Sequence, residues 1–364
     1  MTDGLDERLR RIRGDSPEKR HNARTISALT SNPGCNRRAI MDAAGIDKPT
    51  LAQHIGFPLP FGQSQFAIVR GNIFEAQVKA DGCAELITLL REHLKLSLPE
   101  VSYEDLNEVG GNDDNRLRHR DTRTRLCRQE EPGTLFDHPM LTLTVAGRDV
   151  FLEPDLICFQ IKGKYHIVEI KSFAVIDGQA DGSKVAAAAI QSAVYVIALR
   201  NLLASRSIPA DAVSDDVILV TPKDFSNRPV ATFVDVRKQL TVLRRQLSRL
   251  TSIDALLSLV PERLSLDVAR PAAAVVEDLR SIEARYMPEC LNTCELARFC
   301  RHECRGTTRA MGRDVAEELG SVETVDTALQ LARGTLPPAP EQVEATRMLR
   351  LAWSMRQESL GSAA

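Results

Sequence analysis

Three acidic side chains and one lysine stand close together near the middle of this 364-residue chain, at Glu153, Asp155, Glu169 and Lys171. An apolar run follows Asp155, a second one leads up to Glu169, and a short polar loop with a glycine separates them, which predicts a β-hairpin. Side chains alternate between the faces of a strand, so Glu169 and Lys171 share a face and the neighbouring strand brings Asp155 beside them. Carboxylates gathered in this way repel each other unless a divalent cation lies between them.

Pro154-Asp155 followed by Glu169-Ile170-Lys171 resembles the motif of the PD-(D/E)XK nuclease superfamily. The resemblance implies that Asp155, Glu169 and the Ile170 carbonyl hold Mg²⁺ or Mn²⁺. Such a metal polarises the phosphodiester and lowers the pKa of a bound water. It also implies that Lys171 orients the attacking water or neutralises charge on the phosphate. Taken alone, the same motif fits a surface hairpin whose charges are solvated.

Two further motifs resemble the RecB-like branch of that superfamily. A long alanine-rich run from Val185 predicts a buried helix, and Gln191 and Tyr195 lie four residues apart on one face of it. In the RecB-like branch this pair positions the metal site and the DNA strand. Upstream, Gly71 is followed four residues later by Glu75, where such nucleases usually have a histidine. A carboxylate is a good ligand for a hard cation, so Glu75 is a candidate metal ligand; the alternative is an exposed helix glutamate.

Clustered cysteines form a second constellation. Eight cysteines are too few for a scaffold built from disulfides at this length, and the charged N-terminus shows no signal-peptide pattern. We therefore expect a cytoplasmic protein, in which clustered reduced thiols usually bind metal. Five cysteines are candidates, one early and four late: Cys35, Cys290, Cys294, Cys300 and Cys304.

This arrangement resembles the iron–sulfur subgroup of RecB-like nucleases, which includes AddB-type helicase-nucleases and CRISPR-associated exonucleases. The resemblance implies a [4Fe-4S] cluster on four ligands: Cys35, Cys290, Cys294 and Cys300. Cys304 is an alternative ligand, because the spacing from Cys290 to Cys294 is one residue longer than usual. Zn²⁺ bound by the four late cysteines is the other alternative. We expect the cluster to be structural, since it would join distant parts of the chain and its binding would be coupled to folding.

A formal net charge of −2 gives the chain no general basic character, so a DNA-binding surface must be local. The candidates, each of which also fits a solvated face, are Arg37-Arg38, residues 116–128, Lys162 with Lys164, and the helix with Arg237, Lys238, Arg244, Arg245 and Arg249. The sequence has no Gly-x₄-Gly-Lys-Ser/Thr loop for nucleotide phosphates. A helicase motor, if one takes part, is therefore expected on another chain.

These patterns predict an α/β fold: a PD-(D/E)XK core with a central mixed sheet flanked by helices, extra helical regions and a cysteine-bound cluster. Residues 1–25 are predicted to be a charged, disordered arm, residues 26–306 the nuclease domain and residues 307–364 a helical region. Within the core we expect a first strand at 141–145, an interrupted helix from about 70 to 96, and a strand at 217–221. The predicted activity is metal-dependent DNA hydrolysis, with exonuclease action on single-stranded ends. The alternatives are a non-catalytic binding or scaffold subunit of a repair or defence complex, and a defence endonuclease.

Overall fold

The computed structural model describes residues 2–19, 21–58, 65–92, 101–107, 114–127, 134–161, 163–224 and 226–361. The chain forms two compact units. The cysteine unit comprises Met1–Glu18, Gly34–Phe61 and Leu259–Ala364, and the sheet unit comprises Lys19–Pro33 and Gly62–Ser258. All five clustered cysteines fall in the cysteine unit, and all the predicted metal ligands of the hairpin site fall in the sheet unit. The domain limits predicted at residues 25 and 306 stay predictions.

A six-stranded mixed sheet is the centre of the sheet unit, as the sequence predicts, with the order β1-β2-β5-β6-β7-β8. Its strands are β1 (Ser102–Asp105), β2 (Thr134–Asp137), β5 (Leu156–Ile161), β6 (Lys164–Ile170), β7 (Asp216–Pro222) and β8 (Pro229–Asp235). The β1–β2 and β6–β7 pairs are parallel, and the other neighbours are antiparallel. Central strands β6 and β7 are buried at every position after the first. That pattern is typical of strands covered on both faces.

Helices cover both faces of this sheet. Helix α5 (Gln65–Glu92) supplies Phe74 and Val78 to an apolar core with Leu156 and Val168. Helix α7 (Gly182–Ala204) contacts β6 and β7. The α5 segment has non-helical backbone from Ala80 to Cys83, so the interruption predicted near Gly82 is present.

The strand predicted at 141–145 exists, but it lies outside the main sheet. It is β3 (Leu141–Val145), which pairs only with β4 (Arg148–Leu152) in a separate two-stranded sheet. Ala146 and Gly147 both have positive φ, at 51° and 83°. Two such residues form the tight turn that pairs neighbouring strands with each other. Local hairpin closure therefore decides the partner of β3.

The remaining α-helices of the described residues are divided between the two units. Those of the sheet unit are α2 (Ala23–Ser31), α6 (Asn115–Leu126), α8 (Arg237–Leu247) and α9 (Ile253–Ser258). Those of the cysteine unit are α1 (Thr2–Arg13), α3 (Asn36–Ala43), α4 (Lys48–His54), α10 (Ala272–Arg280), α11 (Cys290–Thr293), α12 (Ala297–Glu303), α13 (Arg313–Leu319), α14 (Val325–Arg333) and α15 (Val343–Gly361).

The N-terminal segment predicted as a charged arm is helical over α1. Leu9 and Ile12, three residues apart, are both buried, and residues at that spacing share one helical face. The Leu266 backbone N–H also donates to the Ile12 carbonyl at 2.7 Å. An apolar stripe within a mostly charged sequence therefore suffices to order this helix.

Helix α7 carries the most apolar sequence of the sheet unit. Lys184–Ala204 is long and apolar enough to span a membrane by length and composition, but 61% of its most apolar window is buried inside the protein. It packs against β3, β6, α2 and α8. These contacts explain its composition as that of a core helix. The cytoplasmic location stays a prediction.

Candidate active site

Asp155 and Glu169 lie on the same face of the sheet. In the antiparallel β5–β6 pair Leu156 is opposite Val168, so one further step places Asp155 opposite Glu169. Directly opposite residues of an antiparallel pair point to the same face. The Ile170 backbone N–H donates to Asp155 Oδ2 at 2.7 Å, which fixes the Asp155 carboxylate against the end of β6. Two separate chain segments thus bring their carboxylates together.

Lys171 contacts the other carboxylate of the hairpin. Its Nζ donates to Glu169 Oε1, as expected for two residues on the same face of a strand. Glu169 is fully buried, and its second oxygen, Oε2, has no hydrogen-bond partner among the described residues. A buried carboxylate oxygen without a donor is costly unless a cation or a proton satisfies it. Oε2 of Glu169 is therefore a suitable ligand atom for a divalent cation.

The two residues predicted to share a face of α7 also lie at this site. Gln191 and Tyr195 face each other along α7, and Gln191 Nε2 donates to Tyr195 Oη at 3.3 Å. Burial raises the pKa of Tyr195 well above its ordinary value, and the carboxylates of Glu169 and Asp155 raise it further. The phenol stays neutral as a result. It adds a polar group, and no charge, beside the two carboxylates.

The charges of the site shift one another strongly. Burial, with the neighbouring Asp155, raises the pKa of Glu169 to about 8, although Lys171 acts in the opposite direction. The pKa of Asp155 is also raised, chiefly by burial and further by Glu75. Burial lowers the pKa of Lys171, but Glu169 and Asp155 outweigh it and raise the pKa above the ordinary value. Mutually repelling acids around one cation are typical of an ion-binding site, and such perturbed groups mark candidate functional sites.

Glu75 belongs to the same electrostatic cluster. It raises the pKa of both Asp155 and Glu169, after larger causes, so its charge is felt at both carboxylates. Its own Oε1 is 2.7 Å from Nζ of Lys79, one helical turn later on α5. Glu75 is therefore at the rim of the site, tied to a lysine.

The sequence patterns did not identify Lys79 or its second partner, Asp137. Lys79 Nζ lies 2.8 Å from Oδ1 of Asp137, whose side chain is only 2% exposed. Burial raises the pKa of Asp137, but hydrogen bonds from His138, Lys79 and Tyr103 lower it to about 2. The four-residue spacing of Glu75 and Lys79 was a signal available in the sequence. The partner on β2 was not, because nothing local links the two segments.

Asp137 also joins a group that can hold a metal ion. Ligand atoms of Asp105, Asp137 and His138 all lie within 4.8 Å of one another, because β1 and β2 pair in parallel with Asp105 opposite Asp137. Lys79 already supplies positive charge to Asp137, and the Tyr103 hydroxyl donates to Asp137 Oδ2 at 2.6 Å. Lys79 and Tyr103 therefore already satisfy Asp137, one of the three possible ligands.

Glu153, the remaining acid of the hairpin motif, points to a different partner. Arg118 of α6 reaches its carboxylate through Nη2 at 2.9 Å and Nη1 at 3.3 Å. The same Nη2 donates to the His138 carbonyl at 3.0 Å. Glu153 is therefore one half of a bidentate ion pair that fixes α6 beside the hairpin.

The clustered cysteines lie at the ends of short helices in the cysteine unit. Cys35 caps the start of α3, Cys290 begins α11, and Cys294 and Cys304 follow the ends of α11 and α12. Cys300 lies within α12. None of the eight cysteines, all of which lie among the described residues, takes part in a disulfide.

Neighbouring thiols among these cysteines influence the pKa of Cys294 and Cys300. Burial raises the pKa of Cys294 to about 11, with a further contribution from Cys35. Burial raises the pKa of Cys300 to about 12, and both Cys294 and Cys35 contribute to that shift. Burial raises the pKa of Tyr286, and three neighbouring thiols raise it further: those of Cys290, Cys304 and Cys300. Cys35, 255 residues upstream of Cys290, thus influences the pKa of both Cys294 and Cys300. The ligand set of the cluster stays a prediction.

Two buried arginines stand beside the thiols. Arg37 Nη1 donates to the sulfur of Cys300 at 3.2 Å and pairs with Glu303 at 2.6 Å. Arg38 lowers the pKa of Cys294, and its Nε pairs with Asp42 at 2.6 Å. A metal–thiolate centre needs deprotonated sulfur, and nearby guanidinium groups favour the thiolate form. Arg38 and Arg37 therefore oppose the effect of burial at Cys294 and Cys300, although the pKa of both thiols stays above the ordinary value.

Comparisons with known proteins give only distant likenesses. No protein-family model matches the sequence, and no curated protein matches it. The solved structure of SSO0001 is 14% identical, covering 76% of this chain and 94% of its own, with a TM-score of 0.28. A protein named as a putative exonuclease from Eubacterium rectale is 14% identical, covering 78% of this chain and 88% of its own, with a TM-score of 0.31. At these TM-scores neither likeness bears on function, which rests on the residues of the site.

Proposed function

We propose that this chain is a metal-dependent nuclease that hydrolyses phosphodiester bonds of DNA, acting as an exonuclease on single-stranded ends. The observation that supports the proposal is the buried Oε2 of Glu169, which has no hydrogen-bond partner among the described residues, on the face it shares with Asp155. A divalent cation bound there would polarise the phosphodiester and lower the pKa of water.

The chain's own residues divide the remaining work. Asp155 and Glu169 offer carboxylate oxygens, with Glu75 and the Ile170 carbonyl as further donors. Lys171 holds Glu169 in place through its ion pair and presents positive charge to an incoming phosphate. Tyr195 and Gln191, hydrogen-bonded to each other, position the metal site and the strand.

The test is digestion of end-labelled linear and circular single-stranded DNA with Mg²⁺ or Mn²⁺, using the wild type and Lys171→Ala. We expect the wild type to degrade the linear strand and spare the circle, and the variant to lose at least about 100-fold in rate. Lys223→Ala is the matched control, because Lys223 directly follows β7 with an exposed side chain and is not among the candidate DNA-binding residues. Opening of the circle would indicate an endonuclease, and no cleavage of either substrate would indicate a non-catalytic binding subunit.

We also propose that Cys35, Cys290, Cys294 and Cys300 hold a [4Fe-4S] cluster, with Cys304 as the alternative to Cys290. The supporting observation is the buried Arg37 donor on the sulfur of Cys300. Protein purified without oxygen should be brown and contain iron and sulfide. Colourless protein with one zinc per chain would favour the zinc alternative. A partner helicase and a repair or defence role stay predictions.

A further inference from the structure

Helix α6 is fixed beside the segment that carries Asp155. Besides the Arg118–Glu153 ion pair, His119 Nδ1 lies 2.9 Å from the Met140 carbonyl, and the Met140 N–H donates to Thr122 Oγ1 at 2.9 Å. The N–H of the neighbouring His138 reaches the Asp155 carbonyl at 3.4 Å. These contacts anchor one side of α6 to the strands of the proposed active site.

A different side of α6 is exposed and basic. Arg116 and Arg120 are both exposed, and their four-residue spacing puts them on one face, about 6 Å apart along the axis. No carboxylate of the described residues forms an ion pair with either of them. By contrast, Arg118 pairs with Glu153, and Arg125 pairs with Asp121 and Glu104. Two guanidinium groups without a carboxylate partner among the described residues are therefore exposed on a helix that is fixed beside Asp155.

We propose that Arg116 and Arg120 bind successive phosphates of a single-stranded nucleic acid and lead it to Asp155, Glu169 and Lys171. The inference rests on the proposed nuclease function. Charge complementarity supports it: the chain as a whole has a net charge of −2, so attraction of a polyanion must come from local groups of this kind. Guanidinium groups also suit phosphate oxygens geometrically.

Among the described residues, no ion pair joins α8, the other exposed basic helix of the sheet unit, to the segment that carries Asp155. Helix α8 packs against α2 and α7, and its Arg237 is already paired with Asp235 at 2.5 Å. Its Arg244 and Arg245 are exposed, which makes them a matched control of equal charge. The proposal therefore assigns the strand to α6 and leaves α8 as a solvated face.

The test measures binding of a mixed-sequence single-stranded DNA oligonucleotide at several salt concentrations, in EDTA so that no cleavage occurs. Arg116→Gln/Arg120→Gln is compared with Arg244→Gln/Arg245→Gln and the wild type. Loss of two phosphate contacts should weaken binding and flatten the plot of log K against log salt by about 1.4 in slope. The α8 variant should keep the wild-type slope. Arg116→Lys/Arg120→Lys should keep most of it, because the charges remain.

The outcomes separate this inference from the proposed function. Equal slopes for the wild type and the α6 Gln variant, with wild-type binding and cleavage intact, would overturn the α6 assignment alone. A wild type that binds with the expected slope but never cleaves would overturn the nuclease and leave the α6 surface standing. A wild type that does not bind the oligonucleotide would overturn both. Melting curves of the variants show whether a loss of binding reflects unfolding. If the Gln variant is unfolded, the comparison of the Lys variant with the wild type remains as the test.

Discussion

Glu169 combines complete burial, a lysine on one oxygen and no hydrogen-bond partner among the described residues on the other. Its pKa of about 8 means that, without a cation, the folded protein keeps a proton there that the unfolded chain has lost. Keeping this carboxylate ionised without a cation therefore costs free energy, and a bound divalent ion would lower that cost. Binding of the ion should displace the proton, so metal affinity should rise with pH.

Glu169→Gln tests this at the residue level. Between the ordinary carboxyl pKa and about 8, the folded wild type binds more protons than the unfolded chain, so its stability without metal should fall as pH rises. The limiting slope is about 1.4 kcal/mol per pH unit. The Gln variant cannot ionise and should lose that slope. Denaturant unfolding in EDTA at pH 5.5 and pH 8 measures it.

Manganese provides the complementary arm of that experiment. Added Mn²⁺ should stabilise the wild type more at pH 8 than at pH 5.5 and should stabilise Glu169→Gln much less. An unchanged pH slope in the variant would show that Glu169 is not the group that holds the proton.

At the scale of elements, α5 is tied to the sheet by Lys79, which joins Glu75 to Asp137 at the end of β2. The two partners differ in burial: the Asp137 side chain is 2% exposed and that of Glu75 is 35% exposed. A buried charge that loses its partner costs far more than a partly solvated one. Lys79 therefore has a stabilising role toward Asp137 and a positioning role toward Glu75.

Lys79→Met should destabilise the protein by about 3 kcal/mol, because it leaves the Asp137 carboxylate buried without its ammonium partner. Glu75→Gln should change stability by less than about 1 kcal/mol and should instead raise the Mn²⁺ concentration needed for cleavage. Urea unfolding and metal titration of activity measure the two effects. A Lys79→Met protein as stable as the wild type would show that Tyr103 and His138 suffice for Asp137.

For the whole molecule, the two predicted sites fall in separate units. The cysteine unit is assembled from three segments of the chain. A cluster that joins Cys35 to residues past 290 would close a loop of more than 250 residues. Such a link stabilises the fold by restricting the unfolded chain, although the gain grows slowly with loop length.

Cys294→Ala should therefore loosen the cysteine unit and spare the sheet unit. Hydrogen exchange followed by mass spectrometry should show faster exchange in α3, α11 and α12 and unchanged exchange in β5, β6 and β7. Cys127→Ala is a matched control, because Cys127 lies outside the clustered five. If every element of the Cys294→Ala variant exchanged at the wild-type rate, no cluster would stabilise this unit.

Those parts of the site whose partners lie close along the chain, or repeat with a helix or strand period, could be predicted from the sequence. Glu169 and Lys171 share a face because strands alternate, Gln191 and Tyr195 meet because helices turn every 3.6 residues, and the hairpin brings Asp155 opposite Glu169. The other contacts depend on how the chain packs. The Lys79–Asp137 and Arg118–Glu153 pairs, the separate β3–β4 sheet and the arginines beside Cys300 and Cys294 depend on which distant segments become neighbours. Packing of the whole chain sets those contacts, and no local periodicity encodes them.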